Sequence, residues 1–418
     1  MKNTLQNIRG TKDLLGTEQL RFDYIVSTGK KIASLYSFER ITTPIIEFSE
    51  VFDRSLGETS DVVNKEMYSF QDRGGENITL RPEFTAAICR SFISNGLDHQ
   101  LPLKFFSHGP IFRYERPQKG RQRQFHQLNY EILGMPTYHA DIEIIQLSYH
   151  LLKALGIDSK VTLNINSLGC NKSRIAYRTA LVEYLTKFYH DLSADSKLRF
   201  EKNPLRILDS KDPSDNDIVA SAPLINAYYT KEASAFYDAL QRSLDDKGIA
   251  FVTNPRIVRG LDYYTHTAFE FVTSELGAQG TVIAGGRYDN LIKHLGGKDI
   301  PGVGCAPGIE RLMLLLDSDP PSPKTIAIIP MHHEQYGYAA SLADVLRYND
   351  FHVYFDLDEN ADSNKRMKKA LTKHAAFALF VGEQEVAKDC VTIRDLSNRV
   401  QTQVGNADLI DHLEHIMR

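Results

Sequence analysis

The 418-residue chain has few cysteines: Cys89, Cys170, Cys305 and Cys390 lie far apart, and none belongs to a CxxC pair. That scarcity excludes a CxxC zinc site and a disulfide framework, and it fits a reducing compartment. Long apolar runs are also missing. No stretch of about 18 apolar residues occurs, and the opening MKNTLQNIRGTKDLL lacks the apolar core of a signal peptide, so a soluble, cytoplasmic protein without membrane contact is expected. Positive charge is not in excess. With 49 Lys+Arg against 53 Asp+Glu, the net charge of -4 excludes a general polyanion binder and leaves any nucleic-acid contact to local patches. No GxxxxGK[ST] stretch exists and GVGCAPG lacks the spacing of a dinucleotide fingerprint, so neither common phosphate loop is present. The rest is ordinary: 42% apolar and 24% charged residues, on a chain long enough for two or three domains.

The stretch Phe112 to Gly134, FRYERPQKGRQRQFHQLNYEILG, departs from that ordinary texture. Arg113, Arg116, Lys119, Arg121 and Arg123 crowd around a single acid, Glu115, which suits an anion such as a phosphate. The following HQLNYEIL alternates strictly, with Gln127, Asn129 and Glu131 on one face and Leu128, Tyr130 and Ile132 on the other. Two strands joined by a basic loop are expected. The polar row either lines a pocket or lies on solvent, and a basic hairpin taken alone is commonly just a solvated surface.

Elsewhere the chain punctuates itself. Glu18 to Ser37 carries a helical apolar stripe, and ITTPIIE (Ile41 to Glu47) reads as a strand interrupted by Pro44. MYSFQDRGGENITL is a hairpin turning at Arg73-Gly74-Gly75. It leads into LRPEFTA, where Pro82 can occupy a first helical turn and Glu83 and Thr85 stand near the helix start; Glu83 could simply complement the helix dipole. Residues 171–250 read as a mostly helical insertion without a recurring polar constellation. RGLDYYT, TVIAGGRYDNLI and GVGCAPGIERLMLLL follow, the last a strand passing into a helix with Arg311 just inside it. After the PPSPK linker, TIAIIP, FHVYFDL, FALFVG and VTIRDL alternate with helices as a small α/β unit. One of its helices clusters Lys365, Arg366, Lys368, Lys369 and Lys373, a solvated face or a phosphate-contacting one.

In this order, the helix and Pro-containing strand, the FRYER…GRQRQFHQ hairpin and the GIERL strand-helix resemble the three signature motifs of class II aminoacyl-tRNA synthetases. LRPE, RGLDYYT and AGGRYD resemble the histidyl family in particular, with Phe84 and Pro307 departing from its usual pattern. The resemblance implies an α+β fold. A catalytic domain over 1–320, with an antiparallel sheet, flanking helices and the 171–250 insertion, would precede an anticodon-binding domain over 325–418. It further implies ATP-dependent activation of L-histidine and transfer to tRNA(His) by a homodimer. Arg113 and Arg259 would hold the α-phosphate, Arg259 partly replacing a metal. Arg121, Arg311, Glu115 and Phe125 would serve the outer phosphates and adenine. Glu83, Thr85 and Gln127 would hold the amino group, and Glu131 with Tyr263, Tyr264 and Tyr288 the imidazole. Mg²⁺ would accompany ATP, with no ligand assigned. A second reading is a non-charging, histidine-sensing regulatory paralogue; such chains typically lack the C-terminal domain and the Arg259 equivalent.

Overall fold

The computed structural model describes residues 5–56, 62–210, 212–257, 263–277 and 280–417. It divides into two compact units, Met1–Pro320 and Pro321–Arg418.

The first unit opens with α1 (Thr17–Leu35), whose stripe buries Ile25, Ile32 and Ala33. The expected single strand over Ile41 to Glu47 is instead two, β1 (Glu39–Arg40) and β2 (Ile46–Phe48), in different sheets. Pro44 lies in the break, and the carbonyls of Thr43 and Pro44, freed from any ladder, accept from the buried guanidinium of Arg81 at 3.0 and 3.4 Å. α2 (Ser49–Leu56) and the hairpin β3 (Tyr68–Gln71), β4 (Asn77–Leu80) complete a three-stranded sheet ordered β2-β4-β3. α3 (Thr85–Ser94) begins three residues after Pro82, so that proline precedes the helix rather than entering it.

β5 (Leu103–Phe112) and β6 (Gln124–Leu133) pair antiparallel, and α4 (Tyr138–Ala154) and β7 (Thr162–Ser167) follow. Next come α5 (Asn171–Thr186), α6 (Ala194–Lys202), α7 (Asn216–Ala220) and α8 (Lys231–Asp246). Tyr177, Leu181, Leu185, Ile207 and Ile218 share a small apolar core, whereas Tyr237, Leu240 and Leu244 of α8 join the main one. A polar constellation absent from the sequence reading lies here: the buried Asp215 carboxylate accepts from the hydroxyls of Ser193, Ser196 and Ser210. The chain closes its large sheet with β8 (Phe251–Thr253), β9 (Thr265–Val272), β10 (Thr281–Arg287), α9 (Leu291–His294), β11 (Gly302–Pro307) and α10 (Ile309–Leu315).

Eight strands stand in the order β1-β5-β6-β11-β10-β9-β7-β8, antiparallel except at the two edge pairs. Strand alternation splits the core between the faces. Phe106, Leu128, Tyr130 and Ile132 join α1, α4, α8 and α10 on one side; Phe105 and Ile111 join Phe84, Ile88 and Tyr288 on the other. The latter face carries Gln127, Asn129 and Glu131, so the polar row lines the interior rather than open solvent.

In the second unit β12 (Thr325–Pro330), α11 (Tyr336–Tyr348), β13 (His352–Phe355), α12 (Ser363–Thr372), β14 (Ala375–Val381), α13 (Glu383–Ala387), β15 (Cys390–Asp395), β16 (Gln401–Gly405) and α14 (Leu409–Met417) form a sheet ordered β13-β12-β14-β15-β16 with helices on both faces. The polar QTQVG edge, β16, lacks the apolar run that marks the other four. Arg366 is not part of a phosphate-contacting face: only 1% exposed, it donates to the carbonyls of Pro330, Asp358 and Glu359. Lys365 and Lys369 pair with Asp358 and Asp356, while Lys368 and Lys373, the latter at the helix's C-terminal cap, are exposed and meet no acidic side chain among the described residues.

Arg287 ends β10 inside the first unit, wholly buried, with its guanidinium on the equally buried Asp141, on Asp289 at 3.1 Å and on the carbonyls of Met135 and Thr137. Removing one partner of such a pair strands a charge away from water. Asp141→Ala should therefore destabilise the first unit by about 3–5 kcal/mol, read as a lowered midpoint in denaturant unfolding; an unchanged midpoint would show that Arg287 finds other compensation.

Candidate active site

A cavity of about 410 Å³ opens beside β6, walled by β9, β10, β11, the start of α3 and the basic loop. Glu131 lies behind its floor, 0% exposed. Its carboxylate accepts from the Thr85 hydroxyl at 2.6 Å, from Asn129 Nδ2 at 2.9 Å and from the Tyr288 hydroxyl. Among the described residues no cation is hydrogen-bonded to it. Burial consequently pushes its pKa up to about 7 against those three donors, with Glu83 adding a smaller push in the same direction. Gly304, its partner in the β6–β11 ladder, makes room: a Cβ there would stand 1.8 Å from Glu131 Oε2.

Glu83 caps α3 with its side chain, accepting from the backbone N–H of Thr85 at 2.5 Å and of Ala86 at 2.8 Å. The dipole-complementing role open from the sequence is thus met, while the carboxylate still borders the cavity. Burial raises its pKa, opposed by those backbone bonds and by Arg113. Phe84 has ordinary helical backbone, φ -94°, and turns its ring beneath Arg81, so nothing there requires glycine. Tyr263, Tyr264 and Tyr288 form an aromatic wall, with Tyr263 centred 4.6 Å from Tyr264 and 5.8 Å from Tyr288. Among the described residues, Gln127 Oε1 and Asn129 Oδ1 are buried without a hydrogen-bond partner. A buried acceptor left unpaired is costly, so this end asks for a ligand rich in N–H donors.

The opposite end gathers three guanidinia, with Glu115, Glu270 and Glu310 among them. Arg113 stands with its guanidinium 5.7 Å from the Phe125 ring centre and donates Nε to the Pro82 carbonyl. Arg121 pairs with Glu115. Arg311 donates Nε to Gly120 and Nη1 to Thr281, at 2.9 and 2.6 Å, which ties the basic loop to α10. Burial lowers the pKa of Arg311, and the neighbouring charges of Arg121 and Arg113 lower it further. Three guanidinia so placed favour an anion between them.

The structure brings together Glu83, Thr85, Arg113, Glu115, Arg121, Phe125, Gln127, Tyr263, Tyr264, Tyr288 and Arg311 around one cavity, with Glu131 just behind its floor. Arg259 lies outside the described residues. Asn129, Glu270 and Glu310 were given no site role from the sequence, yet they border the cavity. Asn129 shares the alternating row of Gln127 and Glu131 and was legible there. Glu310 was not: its carboxylate accepts from the backbone N–H of His126 and meets His126 Nδ1 at 2.8 Å, contacts 184 residues apart in sequence.

An antiparallel sheet with an arginine-bearing hairpin and a second arginine opening the helix after its neighbouring strand defines the catalytic unit of a class II aminoacyl-tRNA synthetase. Comparisons narrow the class. The Histidyl-tRNA synthetase family model matches residues 10–200 and 201–312, and the Anticodon binding domain model matches 325–416. The Histidine–tRNA ligase of Gluconacetobacter diazotrophicus is 51% identical over 403 residues, covering 96% of this chain and 97% of its own length. That of Rickettsia felis is 46% identical over 415 residues, covering 99% and 100%. The apo S. aureus histidyl-tRNA synthetase structure superposes with a TM-score of 0.82 at 30% identity, covering 98% of this chain and 99% of that one. The chain belongs to the histidyl-tRNA synthetase family and is an aminoacyl-tRNA ligase with a C-terminal anticodon-binding domain. A Bacillus halodurans structure titled as an ATP phosphoribosyltransferase regulatory subunit/histidyl-tRNA synthetase shares the fold at 22% identity and TM-score 0.67, covering 91% of this chain.

Glu131 also sets a pH dependence. Its folded pKa of about 7 exceeds the ordinary 4.5, so between these values the native state holds a proton that the unfolded chain has released. Stability must therefore fall as pH rises through that window and level off above it, by up to about 3 kcal/mol from this group. In the ligand-free protein, Glu131→Gln should show a shallower decline in unfolding midpoint between pH 5 and 7 than wild type; parallel declines would contradict the assignment.

Proposed function

We propose that this cavity activates L-histidine with ATP and then passes the histidyl group to tRNA(His). The observation that carries the reading is the polarity of the cavity: unpaired buried acceptors and carboxylates at one end, three guanidinia and Phe125 at the other. Histidine presents an ammonium and two ring nitrogens, and ATP presents the phosphates.

Glu83, Gln127 and the Thr85 hydroxyl receive the α-ammonium. Glu131 uses its remaining acceptor capacity for one imidazole nitrogen, and Tyr264 faces the other, with Tyr263 and Tyr288 packing the ring. An isosteric apolar amino acid leaves those groups unpaired, the kind of mismatch that rejects a substrate by about 10⁴-fold or more. The carboxylate of histidine attacks the α-phosphate, expelling pyrophosphate. Arg113 and Arg259 hold the charge that builds on the α-phosphate oxygens; Phe125 and Arg311 take the adenine, and Arg121 the outer phosphates. The terminal ribose hydroxyl of the tRNA then takes the histidyl group and releases AMP. Magnesium fits as the counterion of ATP: among the described residues no three His, Cys, Asp or Glu side chains cluster to hold a bare ion, and Glu270 in the cavity wall would supply a carboxylate while the phosphates supply the rest. The regulatory-paralogue reading is not favoured, because the ligases that resemble this chain do so over its whole length, C-terminal domain included.

Two further assignments accompany this function. Ile46, Phe48 and Phe70 lie about half exposed on the three-stranded sheet, an apolar face suited to a second copy of the chain in a homodimer. Lys368 and Lys373 are the cations of α12 that would meet tRNA phosphates. The site of action is the cytoplasm.

Histidine-dependent ATP–pyrophosphate exchange followed by charging of histidine tRNA tests the whole reading. Glu131→Ala should raise the histidine KM at least tenfold while moving the ATP KM little, and Arg259→Ala should cut the exchange rate at least a hundredfold; intact exchange in Arg259→Ala would remove that residue from the chemistry. Phe48→Lys should halve the mass seen by light scattering at micromolar concentration, and an unchanged dimer would place the interface elsewhere.

A further inference from the structure

The basic loop is held by the chain's own beginning. The carbonyl of Gly10 accepts two backbone N–H groups from the root of β6, those of Arg123 at 2.7 Å and Gln124 at 3.3 Å. Gly10 itself has φ +87°, a conformation that favours glycine. It is held there by a closed turn in which Thr11 donates both its N–H, at 2.9 Å, and its hydroxyl, at 2.7 Å, to the carbonyl of Ile8. Contact is tight: a Cβ on Gly10 would come within 2.8 Å of Arg123 Cγ and 3.0 Å of Pro117 Cγ. From there the root is locked sideways. Arg123 accepts the N–H of Arg113 at 2.9 Å on its own carbonyl, lays its guanidinium 3.9 Å from the centre of the Tyr114 ring, and reaches the Glu115 carbonyl at 3.4 Å. At the loop's far end Gln118 and Arg121 exchange backbone bonds around Gly120, whose carbonyl Arg311 holds.

We infer that the segment Ile8–Thr11 is a positioning element for the ATP end of the cavity, with Gly10 its key residue: it fixes where Arg121 and Phe125 stand without touching any substrate. The inference rests on the reading of that end as the ATP site. Arg121 lies two residues before the doubly bonded root and Phe125 one residue after it, so a shift of the root by a few tenths of an ångström moves both. Glu131 lies deeper in the sheet, paired with Phe105 of β5 and Gly304 of β11, and is insulated from such a shift.

The test compares Gly10→Ala with Gly16→Ala. Both place alanine at a positive φ, +87° and +55°, but the Cβ at residue 16 meets nothing within 4 Å. In histidine-dependent ATP–pyrophosphate exchange, Gly10→Ala should raise the ATP KM at least fivefold and leave the histidine KM within twofold, whereas Gly16→Ala leaves both within twofold. Limited trypsin digestion of the full chain reads the loop without reference to activity: cleavage after Lys119 and Arg121 should run at least fivefold faster in Gly10→Ala than in wild type or Gly16→Ala. Equal cleavage rates in the two variants, or a histidine KM that rises along with the ATP KM, would overturn the inference. Should wild type show no exchange at all, the reading of the cavity falls, and the cleavage comparison alone decides whether Gly10 braces the loop.

Discussion

A buried carboxylate held by three neutral donors is the constraint on which the proposed histidine end depends. Glu131 sits on a central strand of the large sheet, between β5 and β11, where moving aside would break two ladders at once. Its desolvation outweighs the three neutral donors that oppose it, which is why its pKa is high. Neighbouring residues make sense as conditions for that arrangement. Gly304 leaves space for the carboxylate; Thr85 and Tyr288 bring hydroxyls from a helix start and from the end of the β10 turn; Asn129 donates from two residues along the same strand. Such a group is poorly satisfied until a donor arrives, so binding energy is concentrated in a ligand that carries N–H groups to the right place.

The ATP end follows the opposite principle. Its arginines are fixed before any phosphate arrives: Arg113 by the Pro82 carbonyl, Arg311 by two carbonyls and Arg121 by Glu115. Guanidinia already held in place need little reorganisation when negative charge shifts between phosphate oxygens, which is where electrostatic catalysis draws its strength. The corresponding cost shows at Arg311, whose pKa is lowered first by burial and then by the charges of Arg121 and Arg113.

Local pattern carried much of this into the sequence. Strict alternation along HQLNYEIL named the strand and its polar face, and the structure turns that face to the interior. Pro44 marked an interruption but not its consequence, because the assignment of β1 and β2 to different sheets depends on partners far along the chain. Arg366 and Arg287 illustrate the same limit. In sequence Arg366 reads as one of a cluster of surface cations and Arg287 as part of a motif; in the fold, carbonyls at helix and strand ends and a distant aspartate consume them. An arginine reads as ligand-facing or structural only once the three-dimensional supply of acceptors around it is known. Motif resemblance supplied that context for Arg113, Arg121 and Arg311 and had none to give for Arg366.

The two ends of the cavity therefore differ in compliance. On the proposed reading histidine meets Gln127 and Glu131 on a strand backed by an apolar core, whereas the outer phosphates of ATP meet Arg121 on a loop whose shape is set by a few hydrogen bonds at its roots and tip. A small displacement in a packed sheet costs many contacts and is resisted, while the same displacement at a loop root costs one or two hydrogen bonds of about 1 kcal/mol each. On that reading, recognition of the amino acid, which must reject close competitors, rests on the stiffer part. Handling of ATP combines Arg113 and Arg311, held by carbonyls, with Arg121, whose loop has the fewest bonds to hold it.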